Sequence, residues 1–504
     1  MGKLKTKKGL SLFTVQNVKK VSRYLSNLVV VQIDKASGRS CIACPWFYEN
    51  IWYDKTFPVD TDEVHFTRTG RSVKEEVGFL RNAYKKFGWD AVGSWHPGSI
   101  CFARLLPKAK DLLVTCDEVY AKKGTCCRAR PINPYFNHPL RIVYRRAGAV
   151  MNFLVQNMPP ERQFAVFSAK EVKQRLLHAA SEAKLRYGSS HQWAISTGDL
   201  SNMYDELDLQ QSKQTSSWLL DGAQKWLNER LPVREYSVHR RIKGLVLPRR
   251  THSDDERDDY VVISRDMVQS ICNFDDDNTV FCFKGVVFRR LLGVPMGGFI
   301  SPHKAIGTCS KREQIWKDLS IFLELVIVVM RYMDDVLLVA AYSTPEELEK
   351  VKLLWRYIAG DGDGELFGYP SPLKLNVEPW GRQVFLEMII SSVGPELVIG
   401  LYNKVYEGLA DGNPALTRLP DIYGRNTNQE VAKLVQGHLH RMFDLLWDRK
   451  QARLGAYKLW KETREAGYNT SVMKTALGRL MRSFEYTRPR VARMCKEIRD
   501  VFGD

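Results

Sequence analysis

The segment LVIVVMRYMDDVLLVAA, residues 325–341, carries the strongest signal for the fold, because it sets Asp334 and Asp335 between two apolar runs. β-Branched residues on both sides favour strands, and the short polar centre favours a tight turn. Two adjacent carboxylates repel each other and are costly beside an apolar sheet unless a positive charge compensates them. A divalent cation supplies that charge, so the segment predicts a strand–turn–strand unit that presents carboxylates to a metal ion. A solvated Asp-Asp turn is the alternative, and the flanking apolar strands argue against it.

A further carboxylate suited to the same metal site is Asp199, which follows a strand-like run and precedes Tyr204 by five positions. An aromatic ring at that spacing can form the floor of a sugar pocket. Considered alone, Asp199 is more simply the N-cap of a helix that begins near Ser201. Tyr204 weakens that alternative, and we expect Asp199 to join the paired aspartates.

Between these segments lies a glycine-rich stretch, GVPMGGFISP, at residues 293–302. Glycine lets the backbone approach a ligand closely, and Ser301 followed by proline begins a helix. Backbone N–H groups at such a turn can seat a template base and a nucleotide. A glycine-rich turn is by itself more often structural, and its position between the two carboxylate segments is what favours binding.

Basic residues precede the carboxylate segments. Lys108 follows a proline, Arg130 lies in the stretch RARPI, and Arg141 follows shortly afterwards. Lys and Arg at these positions would neutralise an incoming triphosphate. A solvated basic loop explains the same residues equally well when they are considered alone.

The charge balance favours a polyanionic partner. The chain of 504 residues has 75 Lys and Arg against 57 Asp and Glu, a formal net charge of +18. Such an excess points to nucleic acid ahead of acidic membranes or ribosome-like partners. Hydrophobic residues make up 44% and charged residues 26%, so a folded globular protein is expected rather than a disordered one.

Cysteine usage and hydropathy suggest the compartment. The ten cysteines form no regular framework, which favours a reducing environment. Cys41 and Cys44 form a C-x-x-C pair without two further ligands at zinc spacing, so idle thiols are favoured over a metal site. We find no signal peptide and no apolar run of bilayer length. We therefore expect an intracellular, soluble protein without a membrane partner, and the sequence favours neither nucleus nor cytoplasm.

The chain divides into three parts by composition and periodicity. Residues 1–95 form a basic amino-terminal extension, and residues 96–402 alternate strands, helices and Gly/Pro turns in an α+β pattern. Residues 403–504 are helical, with apolar residues every three or four positions from Val431 to Leu445.

A long segment, about residues 210–277, interrupts the middle part. It carries a basic stretch, Arg240 to Arg250, followed by an acidic one, Asp254 to Asp259. Adjacent blocks of opposite charge are usually solvated loops. The sequence leaves open either such a loop or an insertion that contacts nucleic acid.

In this order, the segments resemble the motifs of the reverse-transcriptase family. The matched residues are Pro107-Lys108, Arg130-Pro131-Ile132, Asp199 with Tyr204, Met296 to Pro302, and Tyr332 to Asp335. Met296 stands where the family usually has glutamine, which puts fidelity rather than activity in question. Downstream, Lys374 resembles a family lysine near the nucleotide, and Phe385-Leu386 resembles the primer-grip strand. The resemblance runs from Leu105 to Tyr402 and is closest to Penelope-like elements and their telomerase relatives.

The resemblance implies a right-hand polymerase with fingers (96–190), palm (191–402, with the insertion) and a helical, nucleic-acid-binding thumb (403–504). It implies an RNA-directed DNA polymerase that extends a primer 3′-hydroxyl with dNTPs on an RNA or DNA template. It names no protein partner. The alternatives are a viral RNA-directed RNA polymerase and a non-catalytic, reverse-transcriptase-like protein that binds nucleic acid.

The resemblance also implies roles for individual residues. Asp199 and Asp334 would bind two Mg²⁺ ions, with Mn²⁺ as an alternative, and Leu200 and Asp335 would support them, because neighbours on a strand point to opposite faces. The residues expected to contact the nucleotide are Lys108, Arg130, Arg141, Tyr204, Met296, Gly297 and Lys374. The residues expected to contact template or primer are Pro295, Ser301, Tyr332, Met333, Phe385 and Leu386. The ring of Tyr204 would exclude a ribose 2′-hydroxyl and so favour deoxynucleotides.

Overall fold

A computed structural model of the chain describes residues 15–34, 40–46, 48–49, 65–108, 129–227, 233–249, 259–283, 285–362, 367–403, 405–407, 419–420, 427–445 and 449–501. Arg250 and the acidic residues 254–258 of the insertion lie outside the described residues.

The amino-terminal third combines short hairpins with helices. Its elements are α1 (Val15–Tyr24), β1 (Val29–Gln32), β2 (Ser40–Ala43), β3 (Phe66–Arg68), α2 (Val73–Lys86), β4 (Cys101–Phe102), β5 (Arg104–Pro107), β6 (Ala129–Ile132), α3 (Arg141–Gln156) and α4 (Ala169–Tyr187). Helices α2 and α4 begin after serines whose hydroxyls accept a backbone N–H of the first turn, which stabilises the helix start. Strand β1 pairs with β2, and β5 pairs with β6, both antiparallel. A β-bridge between Asp34 and Lys108 attaches the first hairpin to the second. Cys41 and Cys44 carry free thiols.

The next part contains the insertion, and its described residues are folded. The elements are β7 (Gln192–Leu200), α5 (Met203–Glu206), α6 (Leu209–Trp226), β8 (Glu235–His239), β9 (Val246–Arg249), β10 (Tyr260–Ser264), α7 (Arg265–Asp277), β11 (Val280–Phe283) and β12 (Val286–Arg290). Strands β8, β9 and β10 form an antiparallel sheet in the order β10-β8-β9. Its alternate residues, among them Tyr236 and Val238, are buried in one core with α3. The basic residues Arg240, Arg241 and Lys243 lie in the turn between β8 and β9.

The central sheet has the order β13-β14-β7-β15, and every neighbouring pair is antiparallel. The elements of this part are α8 (Ser301–Lys317), α9 (Ile321–Glu324), β13 (Val326–Tyr332), β14 (Asp335–Tyr342), α10 (Pro345–Ala359), β15 (Leu375–Val377), β16 (Gln383–Phe385), β17 (Met388–Val393) and β18 (Glu396–Leu401). The strand–turn–strand unit predicted around the paired aspartates is therefore confirmed. Strands β16, β17 and β18 form a separate three-stranded sheet.

Both faces of the central sheet are covered, and in β7 and β14 residue parity decides which core a side chain enters. Even-numbered residues such as Leu200, Val336 and Leu338 pack with α8 and α10. Odd-numbered residues such as Ile195 and Leu337 pack with α4 and the β16–β18 sheet. Burial on both faces explains why β13 and β14 are almost continuously apolar.

One buried ion pair lies directly behind the turn at residues 333–334. The guanidinium of Arg331 is fully buried against the carboxylate of Glu313 in α8. Glu313 also accepts from the Phe164 backbone N–H at 2.9 Å and from the Tyr369 hydroxyl at 3.1 Å. Burial alone would lower the pKa of Arg331, but the Glu313 carboxylate outweighs it, so the pKa is raised. The pair ties β13 to α8.

The carboxyl-terminal part consists of helices, as predicted from its periodicity. They are α11 (Asn428–Leu445), α12 (Arg449–Glu465), α13 (Thr470–Phe484) and α14 (Pro489–Val501). They share a hydrophobic core of their own. The exact subdomain boundaries stay predictions. None of the helices in the described ranges combines the length and apolar composition needed to cross a bilayer.

Candidate active site

Two of the predicted carboxylates lie side by side at the end of the central sheet. In the register of β7 and β14, Asp199 is directly opposite Asp335. On the other side of β7, Asp199 is opposite Asn376 of β15. Residues directly opposite in an antiparallel sheet project from the same face, with Cβ atoms about 4.5–5.5 Å apart. Asp199, Asp335 and Asn376 therefore form a polar row, and all three are exposed although the strands behind them are buried.

Asp334 lies in the two-residue turn that connects β13 to β14. The preceding Met333 has φ 58°, the left-handed conformation that tight hairpin turns require. The backbone N–H of Leu200 donates to the Asp334 carbonyl at 2.8 Å, and the Arg331 guanidinium donates to the Met333 carbonyl at 3.0 Å. The turn is thus held from both sides, which brings the backbone of Asp334 next to Leu200 at the end of β7.

The carboxylates at the end of the central sheet fit a magnesium ion that is coordinated partly by the protein and partly by the phosphate oxygens of a nucleotide. Within the described part of the chain, no group of three or more His, Cys, Asp or Glu side chains is spaced to hold a metal by itself. Mg²⁺ is usually held by one or two carboxylates together with phosphate oxygens and water. The Asp199–Asp335 pair supplies two such carboxylates, and Asp334 lies in the adjoining turn. The assignment of Asp199 and Asp334 as principal ligands, supported by Leu200 and Asp335, stays a prediction.

Tyr204 lies beside this carboxylate cluster. Burial raises the pKa of its hydroxyl, the carboxylate of Asp334 raises it further, and the guanidinium of Arg130 lowers it. Both charges act on its hydroxyl, and the Tyr204 side chain packs against the hydrophobic cluster that contains Leu200. Arg130 also pairs with Asp34 at 3.5 Å and keeps about a third of its side chain exposed. The segment that follows β7 and the basic strand β6 are therefore neighbours at the site.

The glycine-rich stretch packs on the same place. The N–H of Val294 donates to the Tyr204 carbonyl at 2.7 Å, and the N–H of Asn133, just after β6, donates to the Met296 carbonyl at 2.8 Å. Gly293 has φ 79°, and a Cβ there would lie 2.4 Å from the Asp205 carbonyl oxygen. The stretch thus bridges β6 and α5 by backbone contacts that require glycine. Pro295 and Ser301 are buried, whereas Met296 and Gly297 retain exposed surface.

Gly297→Ala is expected to destabilise the protein and to weaken the nucleotide binding predicted for this turn. Gly297 has φ 104°, and a Cβ would lie 2.8 Å from the Asn133 carbonyl oxygen. The backbone strain costs about 1–2 kcal/mol, and the close contact adds about 1–3 kcal/mol. Urea unfolding and nucleotide titration measure the two effects. Gly394→Ala is the control, because Gly394 has φ 58° with nothing within 4 Å of the new Cβ. Equal costs at both positions would contradict the contact argument.

The remaining residues predicted to contact the nucleotide lie at different distances along the chain from the end of β7 and have different contacts. Lys374 is exposed, and its carbonyl accepts the Ser201 N–H at 2.9 Å, which puts it next to the end of β7. Lys108 is the bridge partner of Asp34. Arg141 begins α3 and donates to the Phe136 carbonyl at 3.0 Å. The backbone of Lys374 adjoins the end of β7, and the ion-pair partner of Arg130 is Asp34. The nucleotide roles of Lys108, Arg130, Arg141 and Lys374 stay predictions.

The predicted primer-grip residues lie across a cleft from Tyr332. Phe385 is buried, and Leu386 occupies the β16–β17 turn with φ 57°. Tyr332, Leu386, Glu387 and Arg441 line a cleft of about 420 Å³ that opens between the central sheet and α11. Tyr332 and Leu386 therefore share one surface next to the carboxylate row.

Two features of the site were not predicted. Asn376 is part of the segment that resembles the family lysine motif, but only the register shows it beside Asp199. The Arg331–Glu313 pair has one sequence signal, a charged residue within an apolar strand. Buried charges are nearly always paired, yet the sequence does not name the partner.

Telomerases are among the solved structures to which the chain is similar. Apo telomerase from Candida tropicalis aligns with a TM-score of 0.53 and 13% identity, covering 96% of this chain and 72% of that chain. Telomerase from Candida albicans in complex with a TWJ fragment of telomeric RNA aligns with a TM-score of 0.46 and 12% identity, covering 95% of this chain and 74% of that one. No protein-family model and no curated protein matches the chain. The first alignment shows a right-hand polymerase fold of the reverse-transcriptase kind, which confirms the predicted fold class.

Proposed function

We propose that this chain is an RNA-directed DNA polymerase that extends a primer 3′-hydroxyl with deoxynucleotides. The observation that carries the proposal is the juxtaposition of Asp199 and Asp335, with Asp334 in the adjoining turn, at the exposed end of a sheet in a reverse-transcriptase-like fold. The residues of the sequence motifs and that fold together support a reverse transcriptase of the Penelope-like or telomerase-like kind.

Phosphoryl transfer depends mainly on alignment and charge neutralisation. Asp199, Asp334 and Asp335, with Leu200, would hold two Mg²⁺ ions, or Mn²⁺ in their place. When bound, these ions supply Lewis-acid activation of the primer hydroxyl and neutralise charge on the triphosphate and the leaving pyrophosphate.

The basic side chains add to that neutralisation from the chain itself. Arg130 and Lys374 would pair with phosphate oxygens, and Lys108 and Arg141 are proposed to assist. Met296 and Gly297, at a backbone turn, would align the nucleotide with its template base. Pro295 and Ser301 would support the template.

The primer is proposed to lie along the cleft that Tyr332 and Leu386 share. Met333 follows Tyr332 in the turn, and Phe385 anchors the β16–β17 hairpin in the core. Tyr332 is directly opposite Asp335 in the register of β13 and β14. A primer end held beside Tyr332 would therefore have its 3′-hydroxyl close to the row of carboxylates.

Tyr204→Ala is expected to let the polymerase accept ribonucleotides. The ring beside Asp334 and Arg130 would clash with a 2′-hydroxyl, and removing such bulk typically changes discrimination by about tenfold to a hundredfold. The ratio of kcat/KM for a dNTP and its matching ribonucleotide measures the effect in primer extension. Tyr204→Phe keeps the ring without the hydroxyl and should keep the discrimination. Unchanged discrimination in Tyr204→Ala would remove Tyr204 from the sugar pocket.

The proposed activity is tested by primer extension on RNA and DNA templates with Mg²⁺, offering deoxy- and ribonucleotides separately. Extension with deoxynucleotides on an RNA template is the expected result. Preference for ribonucleotides would favour an RNA-directed RNA polymerase. Binding of primed template without extension in Mg²⁺ or Mn²⁺ would favour a non-catalytic nucleic-acid-binding protein.

A further inference from the structure

A second, strongly basic cleft lies on the far side of the glycine-rich stretch. It has a volume of about 480 Å³ and is bounded by α3, by the β8–β9 turn of the insertion, and by Gly298 and Phe299. It shares no lining residue with the cleft at Tyr332 and Leu386. The cationic side chains that line this basic cleft are Arg145, Arg146, Arg240, Arg241 and Lys243.

The positive charge of the basic cleft is not compensated by the described residues around it. No Asp or Glu is among its described lining residues, and within the described ranges none of its five cations forms an ion pair with a carboxylate. Burial, followed by the charges of Arg240 and Arg145, lowers the pKa of Arg146. Cations from two separate elements are thus close enough to repel each other. Such clustering is favourable only when an anionic partner binds.

The basic turn is held in place before any partner arrives. The Nδ1 atom of His239 accepts the backbone N–H groups of Arg241 and Ile242 at 3.0 and 2.9 Å. The Nε–H of Arg240 donates to the Tyr260 carbonyl at 3.2 Å. A turn fixed by these bonds loses little conformational entropy on binding.

The elements beneath the basic cleft are closely packed and joined by buried hydrogen bonds. Gly148 of α3 lies so close to the glycine-rich stretch that a Cβ would be 2.4 Å from the Phe299 carbonyl oxygen. Fully buried Lys304 of α8 donates to Asp276 at 2.8 Å and to the Cys272 carbonyl at 2.9 Å, both in α7. The insertion is thereby anchored to the helix that follows the glycine-rich stretch.

Position relates the basic cleft to the proposed chemistry. Phe299 and Gly298 directly follow Met296 and Gly297, which are proposed to align the nucleotide with its template base. The basic cleft therefore begins where the templating base would sit and leads away from the primer surface toward the insertion. Its volume is that of a small-molecule pocket, which suits a single strand rather than a duplex. The partly exposed Phe299 ring offers a stacking surface for a base.

We propose that the basic cleft binds the phosphodiester backbone of the single-stranded template ahead of the templating base. This inference rests on the proposed polymerase function and gives the insertion a role in it: the β8–β9 turn acts as a clamp on template that has not yet been copied. Arg240, Arg241 and Lys243 would contact successive phosphates, and Arg145 and Arg146 would close the opposite wall.

The test compares template–primers that differ only in the length of the 5′ single strand. One template ends at the templating base, and the other continues for about ten nucleotides, within the range that single-strand grooves cover. The variant is Arg240→Glu, Arg241→Glu and Lys243→Glu combined. Its Kd on the long template is expected to rise about tenfold to a hundredfold, with the salt slope reduced by about 0.7 for each lost phosphate contact. The ratio of variant to wild-type Kd should approach one as the single strand is shortened.

Matched controls separate the basic cleft from net charge and from misfolding. Lys184→Glu, Arg186→Glu and Arg356→Glu combined change the net charge equally on exposed positions of α4 and α10 and should bind both templates like the wild type. Arg241→Glu with Lys243→Glu keeps the Arg240–Tyr260 hydrogen bond and should show an intermediate loss. An equal loss on both templates, or in the control, would overturn the proposal.

The two proposals fail differently. Template binding is measured by fluorescence anisotropy without nucleotides, so it reports on the basic cleft even if no primer extension occurs. Length-dependent binding without extension would refute the polymerase activity alone. Extension with length-independent binding in the charge-reversal variant would refute the clamp alone.

Discussion

Primer extension by the Asp199→Asn variant is expected to be about a thousandfold slower than by the wild-type protein. A carboxylate that holds a catalytic metal supports several kcal/mol of transition-state stabilisation, and each 1.36 kcal/mol is a factor of about ten in rate. Asparagine keeps the size of the side chain but removes the charge that binds the cation. The rate is measured as single-nucleotide extension at saturating primed template, with template affinity determined in parallel.

Template affinity should be unchanged in Asp199→Asn, because the loss concerns the chemical step. Asp361→Asn is the control: Asp361 is exposed just after α10 and should extend primers at the wild-type rate. The variants Asp334→Asn and Asp335→Asn test whether Asp334 is a principal metal ligand and Asp335 a supporting one. The larger loss of extension rate is expected for Asp334→Asn. Normal extension by Asp199→Asn would end the case for a shared metal site.

Arg331→Met is expected to lower the free energy of unfolding by about 3–5 kcal/mol, since removing one partner of a buried ion pair leaves the other charge uncompensated. The carboxylate of Glu313 would remain fully buried, and its donors among the described residues would be the Phe164 N–H and the Tyr369 hydroxyl. Urea unfolding measures the change.

The double variant Arg331→Met with Glu313→Gln should recover part of the loss, because glutamine is neutral and still accepts hydrogen bonds. Arg356→Met, at an exposed helical position, should change stability by less than about 0.5 kcal/mol. A loss in Arg331→Met as small as in Arg356→Met would show that the pair contributes little.

Local patterns predicted the elements that present the site. Apolar runs around Asp334 and Asp335 identified the hairpin, and the strand-like run before Asp199 identified β7. These signals are contained in a few neighbouring residues, so they can be interpreted without knowing which distant segments pack against them. The carboxyl-terminal helices were predicted for the same reason, because one apolar face recurs along each helix.

Long-range pairing could not be predicted in the same way. The register that sets Asp199 opposite Asp335 and Asn376 joins strands more than a hundred residues apart. In the insertion, alternation at Tyr236 and Val238 is visible in the sequence, but the neighbouring charge blocks equally suggested a loop. Packing against α3 decides between them, and that contact is made only in the folded chain.

The covering of both faces of the central sheet also limits how the sequence can change length. Side chains alternate strictly along a strand, so a single-residue insertion or deletion in β7 would exchange the environments of Asp199 and Leu200. The carboxylate would then enter the apolar layer against α8 and α10, and the leucine would take its place in the polar row. Substitutions along these strands can be accommodated by repacking. A shift of the strand register by one residue would instead disrupt both the site and the core.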